Sequence, residues 1–145
     1  MPAVDDLTDF LWQMKLAVLE QTWLYDIPRG SIDSPGPHAR HHGPWPGPTC
    51  AAILRLWYRQ GWIGLHFQDL SPDWDVVPAE WQDRRTGGDL AAEDAHALLG
   101  QPERWTPEHA DGFVMPYRTV DGEITPNGDW YAHVIETARS LPLRG

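Results

Sequence analysis

Residues 59–67, "RQGWIGLHF", join a predicted helix to a predicted strand and indicate how this part of the chain folds. The run before them, "PTCAAILRLWYRQG" at 48–61, has the periodicity of a helix, with Thr49 as a candidate N-cap. Its predicted buried residues are Ile53, Leu56 and Trp57. Gly61 fits the position just after the helix, where the backbone turns left-handed and glycine does so at little cost.

The segment "WIGLHF" at 62–67 is predicted to leave this glycine as a strand. Successive side chains of a strand point to opposite faces, so two sets follow. One comprises Trp62, Gly64 and His66, and the other Ile63, Leu65 and Phe67. A second strand is predicted in "GFVMPYRTV" at 112–120, where Pro116 confines it to an edge or a bulge. A hairpin turn at 121–122 is expected to lead into "EIT" at 123–125.

The first predicted helix begins near Asp5 or Asp6 and runs to about Leu24. At 100° per residue it carries two apolar stripes on nearly opposite sides. The broader stripe comprises Leu7, Phe10, Leu11, Met14, Ala17 and Val18, and the narrower one Trp12, Leu16, Leu19 and Trp23. Later segments of the chain could cover the narrower stripe, or a second copy could do so as a homodimer.

Residues 27–48, "IPRGSIDSPGPHARHHGPWPGP", contain six prolines and four glycines, which predict a long loop without regular structure. His38, His41 and His42 could bind zinc together with Cys50, but their spacing matches no standard zinc arrangement. We therefore expect solvated histidines, no metal and no other cofactor. Trp45, within "GPWPGP", is predicted to anchor a contact with a partner, with packing on the chain's own body as the alternative.

Two further helices are predicted toward the C-terminus. One covers about 90–99, capped by Asp89 and ended by Gly100, with its inward residues at Leu90, Ala95, Leu98 and Leu99. The other lies in "PNGDWYAHVIETARS" at 126–140, with its buried side at Trp130, Val134, Ile135 and Ala138. The segment 69–88, between the strand at 62–67 and the helix at about 90–99, is expected to be irregular.

The composition predicts one domain spanning residues 1–145, because a chain of this length can bury a sufficient core. A single cysteine excludes an internal disulfide framework, and no secretion signal or membrane span is expected, so a cytoplasmic location is predicted. The formal charge of −10 disfavours a broad phosphate-binding surface. It does not exclude DNA binding through one basic face, and it fits equally well with an acidic face that docks onto a basic partner.

The order helix, loop, helix, Gly-Trp-Ile strand, strand and terminal helix resembles the winged-helix fold, and is most similar to the MarR and PadR regulator groups. The residues that carry the resemblance are Gly61, Trp62, Ile63, Ile124, Thr125, Gly128 and Tyr131. It implies an α+β domain with a winged-helix-like core and a terminal helix. This chain departs from the family pattern by a long insertion at 68–111, where the regulators have a brief hairpin between the wing strands.

Three classes of function follow from these patterns. A non-enzymatic protein-interaction module of regulatory, inhibitory or immunity type would bind through Trp45, Trp12, Leu16, Leu19 and Trp23. A sequence-specific DNA-binding regulator, which the resemblance implies, would use Thr49, Arg55, Arg59 and Gln60. An enzyme or small-ligand binder is the third class, although the sequence contains no nucleophile motif, phosphate-binding glycine loop or metalloprotease motif. The sequence favours the first class.

Overall fold

The computed structural model describes residues 3–32, 36–37, 41–67, 88–119 and 136–143. These residues form a mixture of helices and antiparallel strands, which confirms the predicted α+β class. The elements are α1 (Ala3–Leu19), β1 (Ser31–Ile32), β2 (His41–His42), α2 (Gly47–Arg59), β3 (Ile63–Phe67), β4 (Gly88–Asp89), α3 (Ala92–Leu99) and β5 (Val114–Arg118). Short 3-10 helices cover Ile27–Arg29, Pro102–Arg104 and Ala110–Phe113, and residues 136–139 are helical.

A three-stranded antiparallel sheet has the order β4-β3-β5. Ile63 and Leu65 of β3 are buried, which confirms the predicted alternation of this strand. Among the described strands β5 lies at the edge, as Pro116 predicted, and Pro116 is paired with Leu65. The face with Ile63 and Leu65 packs into a core shared with the three helices, whose main buried members are Phe10, Met14, Val18, Ile53, Leu54, Trp57, Leu98 and Leu99.

The junction between α2 and β3 has the geometry that its sequence predicts. Gly61 has a φ of 78°, in the left-handed region. Two hydrogen bonds close the helix end, from Gly61 N to Tyr58 O at 3.0 Å and from Trp62 N to Trp57 O at 3.0 Å. This pair of bonds is the Schellman motif, and it directs the chain from the helix into the strand.

We expect Gly61→Val to lower the free energy of unfolding by more than about 1 kcal/mol, since a β-branched residue is strained at positive φ. A Cβ at this position would meet no atom within 4 Å, so the cost comes from the backbone alone. Urea unfolding of the parent and the variant measures it. Gly61→Asn should lower the free energy of unfolding by less, because asparagine tolerates this conformation. Coincident midpoints for parent and valine variant would contradict the assignment.

α1 ends at Leu19, so its predicted extension to Leu24 is wrong. Gln21 adopts a φ of 53°, and a second Schellman pair closes the helix, from Gln21 N to Val18 O at 3.1 Å and from Thr22 N to Ala17 O at 2.9 Å. Beyond it, Leu24 N donates to Val114 O at 2.9 Å and Tyr25 N donates to Gly112 O at 3.0 Å. These long-range bonds replace the helical ones that the apolar spacing predicts.

The prediction that residues 27–48 have no regular structure is also wrong. They include the 3-10 helix Ile27–Arg29 and a two-stranded ladder of β1 with β2, in addition to the start of α2. Gly30, with a φ of 79°, permits a close approach, because a Cβ there would lie 1.9 Å from the backbone oxygen of His42. Glycine here allows two backbone segments to pair rather than preventing it.

α2 begins at Gly47, with Pro46 at the N-cap position, so Thr49 is not the N-cap. Thr49 is buried, and its hydroxyl donates to the carbonyl of Pro142. The buried positions of α2 include Ile53 and Trp57, as predicted, whereas Leu56 is half-buried and packs against the core.

α3 buries Ala95, Leu98 and Leu99 as predicted. Its N-cap is Ala91, not Asp89, which lies in β4, and Gly100 ends the helix with a right-handed φ of −88°. Ala138 is buried, as predicted for the terminal helix. The predicted hairpin at 121–122, the following strand and the first part of the terminal helix lie outside the described residues.

Candidate functional site

The outer face of α1, defined by Trp12, Leu16 and Leu19, is the first candidate surface. The opposite side of the helix packs into the core, and Phe10 there is 0% exposed. On the outer face Trp12 is 47% exposed and Leu19 is 43% exposed, while Leu16 is half-buried. Spacings of four and three residues place all three on one side of a helix. The structure thus leaves most of the predicted narrow stripe accessible.

The outer face continues onto the neighbouring hairpin. Ile32 of β1 is 57% exposed and lies with Leu16 around a cavity of about 380 Å³ between α1 and the hairpin. Ser31 Oγ donates to Gln13 Oε1 at 3.2 Å and ties the two elements together. Trp12, Leu19 and Ile32 are the large hydrophobic residues that stand exposed within the described ranges.

Trp23 does not belong to the outer face, because α1 has already ended at Leu19. Its ring stacks on Tyr25, with centroids 5.6 Å apart, and meets Phe113 edge-on at 5.0 Å. Tyr25 and Phe113 are themselves 5.2 Å apart. Trp23, the fourth residue of the predicted narrower stripe, therefore belongs to a half-buried aromatic cluster beside β5.

Trp45 packs on the chain's own core. Its ring meets that of Phe10 edge-on at 5.2 Å, and its backbone N donates to Pro28 O at 2.7 Å. The side chain is half-buried, so part of it stays accessible. A contact of Trp45 with a partner stays a prediction.

The residues predicted to contact DNA do not form one exposed row along α2. Thr49 is in the interior and Arg55 is half-buried. Arg59 and Gln60 are exposed but lie at the C-terminal end of the helix. Recognition helices read bases mainly with their N-terminal residues, and at this end of α2 Thr49 and Cys50 are buried.

The histidines predicted as solvated have different environments. His41 is exposed, but His42 is buried, and its Nδ1 lies 2.7 and 2.8 Å from the carboxylate oxygens of Asp9. This pairing corrects the expectation that His42 is solvated. His38 lies outside the described residues. No cluster of three or more His, Cys, Asp or Glu side chains able to hold a metal occurs in the described part of the chain.

Cys50 is buried in the core, and burial raises the pKa of its thiol to about 12. The thiolate is the nucleophilic and metal-binding form of cysteine. At neutral pH Cys50 is therefore a protonated, inert core residue.

A second candidate surface, the polar groove, has a volume of about 570 Å³ and lies between the C-terminal end of α1 and the sheet. Four of its five polar members interact in pairs. His66 Nε2 lies 2.8 Å from Gln21 Oε1, and Tyr117 Oη donates to Asp89 Oδ2 at 2.9 Å. The rings of His66 and Tyr117 meet edge-on at 5.1 Å. The remaining lining residues are Val18, Leu19 and Arg118.

The polar groove is lined by one carboxylate, that of Asp89, and one guanidinium, that of Arg118, beside two uncharged rings. Burial lowers the pKa of His66, against the opposing influence of the Asp89 carboxylate, so the imidazole is neutral at pH 7. Burial raises the pKa of Tyr117, and its hydrogen bond to Asp89 acts in the same direction. Tyr117 therefore stays protonated and continues to donate to Asp89.

Sequence reasoning missed the polar groove because its five polar members come from four separate segments. His66 and Asp89 meet only through the pairing of β3 with β4, and Tyr117 arrives on β5. The one available signal was Gly64, two residues before His66 on the same strand face. A Cβ at Gly64 would lie 2.5 Å from the tip of the Tyr117 ring, so glycine makes room for that ring.

The comparisons with known proteins add no relative from which to transfer a function: no family model, no curated protein and no solved structure matches the chain. The residues shared with winged-helix regulators at 124–131 lie outside the described ranges. That relationship stays a prediction. Among the described residues, no helix has the length and apolar character needed to cross a membrane.

Proposed function

We propose that this protein is a non-enzymatic protein-interaction module of regulatory, inhibitory or immunity type, on a winged-helix-like scaffold, and that the outer face of α1 is its docking surface. The supporting observation is the contrast across this helix, with Phe10 fully buried on one side and Trp12 and Leu19 exposed on the other. Large apolar side chains exposed together are typical of protein interfaces, and tryptophan is enriched among the residues that dominate binding energy.

A second copy of the chain is the occupant we propose for this face, forming a homodimer. The outer face is a narrow seam, and a two-fold axis lets each copy cover the other. In an antiparallel pair of α1 helices, the Trp12 end of one meets the Leu19 end of the other.

The test is the mass of the protein in solution after Leu16→Glu and Leu19→Glu are introduced together. We expect the parent to be a dimer by light scattering and the variant a folded monomer, because two buried carboxylates per chain would be unpaired in the seam. Ala92→Glu with Ala97→Glu adds the same charge at exposed positions of α3 and should remain dimeric.

Two results would overturn this proposal. A parent protein that is monomeric at tens of micromolar rejects the homodimer. A double variant that unfolds, while the α3 control stays folded, places the face inside the chain's own core.

A further inference from the structure

We propose that the cavity between α1 and the β1–β2 hairpin binds a small organic cation, a primary ammonium group carried on an aromatic or alkyl body. Its volume of about 380 Å³ lies within the range of roughly 300–1,000 Å³ that is typical of small-molecule sites. Leu16 and Ile32 border both this cavity and the outer face of α1, but the inference depends on the cavity alone and goes beyond the proposed homodimer.

The cavity has a largely apolar wall. Met14 of α1 and Ile27 of the next 3-10 helix line it with buried side chains. The half-buried ring of Trp45 lines it as well, and Ile32 of β1 lines it with a side chain that is 57% exposed. An apolar body that enters the cavity would remove these surfaces from water, which favours binding.

This wall is held in place before a ligand binds. Phe10 meets the Trp45 ring edge-on at 5.2 Å and supports it from the core. Ser31 Oγ donates to Gln13 Oε1 at 3.2 Å, which fixes the hairpin against α1. A preformed site loses less conformational entropy when a ligand binds.

Two carboxylates, those of Glu20 and Asp26, line the same cavity, and both residues are exposed. Asp26 stands at the N-cap of the 3-10 helix but makes no capping hydrogen bond, so the helix does not use its carboxylate. Within the described ranges, neither carboxylate forms an ion pair. An ammonium has three donors and no acceptor, so it matches these oxygen atoms.

The negative charge of the cavity is not offset by its own lining. Among the described residues that line it, none is Lys, Arg or His. Lys15, one turn before Leu19, places its Nζ 4.7 Å from the centroid of the Trp12 ring. Arg29 places its Cζ 5.8 Å from the centroid of the Tyr25 ring. Neither ring lines the cavity, so these two cations are directed elsewhere, and the charge selects a cation over a neutral molecule or an anion.

The experiment titrates the protein at pH 7 with 3-phenylpropylamine and follows the Ile32 methyl signals by NMR, assigned with Ile32→Val. We expect a saturable shift of these signals and none for the methyl signals of Ile63, which is buried against the sheet. 3-Phenylpropan-1-ol keeps the apolar body without the charge, and methylammonium keeps the charge without the body. Each should bind at least about tenfold more weakly than the amine.

Glu20→Gln together with Asp26→Asn should weaken binding of the amine by about tenfold or more, because the change removes both charges while keeping the shape. Glu93→Gln together with Glu108→Gln removes the same charge from exposed positions elsewhere and should bind as the parent does.

Three results would each overturn the inference: no saturable shift, equal affinity for the amine and the alcohol, or an unchanged affinity in the Glu20 and Asp26 double variant. The dimer proposal is judged by mass and this one by the Ile32 signals, so each can fail alone.

Discussion

Replacing Phe10 with alanine is expected to lower the free energy of unfolding by about 3–5 kcal/mol. The side chain is 0% exposed and meets Trp45 edge-on at 5.2 Å, so the variant loses both buried apolar area and an aromatic pair. It also leaves a cavity between α1 and the segment that leads into α2. Since domains of this size are stable by only about 5–15 kcal/mol, the variant should be close to unfolded at 37 °C.

Trp12→Ala is the matched control, because it removes an even larger ring from the same helix. Its side chain is 47% exposed and is contacted by the Lys15 ammonium, 4.7 Å from the ring centroid. In urea unfolding extrapolated to low protein concentration, we expect the free energy of unfolding to change by no more than about 0.5 kcal/mol. At higher concentration the loss should grow, because Trp12 belongs to the proposed dimer seam.

The pair of variants tests which side of α1 is structural. If Phe10→Ala and Trp12→Ala lower the free energy of unfolding equally at low protein concentration, the outer face is part of the chain's own core. A small loss for Phe10→Ala would contradict the packing of α1 described above.

The second large effect is expected for Gly112→Ala, which should cost about 2–3 kcal/mol. A Cβ at Gly112 would lie 2.1 Å from the backbone oxygen of Thr106, a group that cannot swing away as a side chain can. Gly112 O also accepts the hydrogen bond from Tyr25 N at 3.0 Å, which helps to end α1 where it does. The alanine methyl therefore has to displace backbone that joins two parts of the fold.

Gly100→Ala is the control for this substitution. Gly100 has an ordinary right-handed φ of −88°, and its Cβ would lie 3.4 Å from the nearest atom, His96 O. We expect its free energy of unfolding, measured by urea titration, to match that of the parent within about 0.5 kcal/mol. Similar midpoints for both alanine variants would show that the close approach of Gly112 to Thr106 is absent in solution.

The accuracy of the sequence predictions follows the range of the interactions involved. Gly61 and the strand after it were predicted because a helix end and a two-residue alternation depend on neighbours a few positions away. The end of α1 was predicted at Leu24 because apolar spacing continues past Leu19. Hydrogen bonds from Leu24 and Tyr25 to the segment around β5, some ninety residues later, override that local signal.

Residues 27–48 also show that contacts distant in sequence decide what local patterns cannot. Proline and glycine predict a loop without regular structure here. Whether a glycine opens a loop or lets two backbones meet depends on what lies opposite, and at Gly30 that is the backbone of His42. Likewise, Thr49 has an N-cap residue type, but its hydroxyl bonds to Pro142 at the far end of the chain.

Local chemistry in the sequence determined the α+β class, the α2-to-β3 junction, the edge position of β5 and the apolar residues that α1 buries. These rest on periodicity, proline and glycine, each of which acts within a turn or a strand. Whether the chain's own later segments cover the narrower stripe of α1, and the gathering of Gln21, His66, Asp89 and Tyr117 into one groove, were decided only by tertiary structure. The reason is that strand pairing and helix packing bring together residues that no local pattern links.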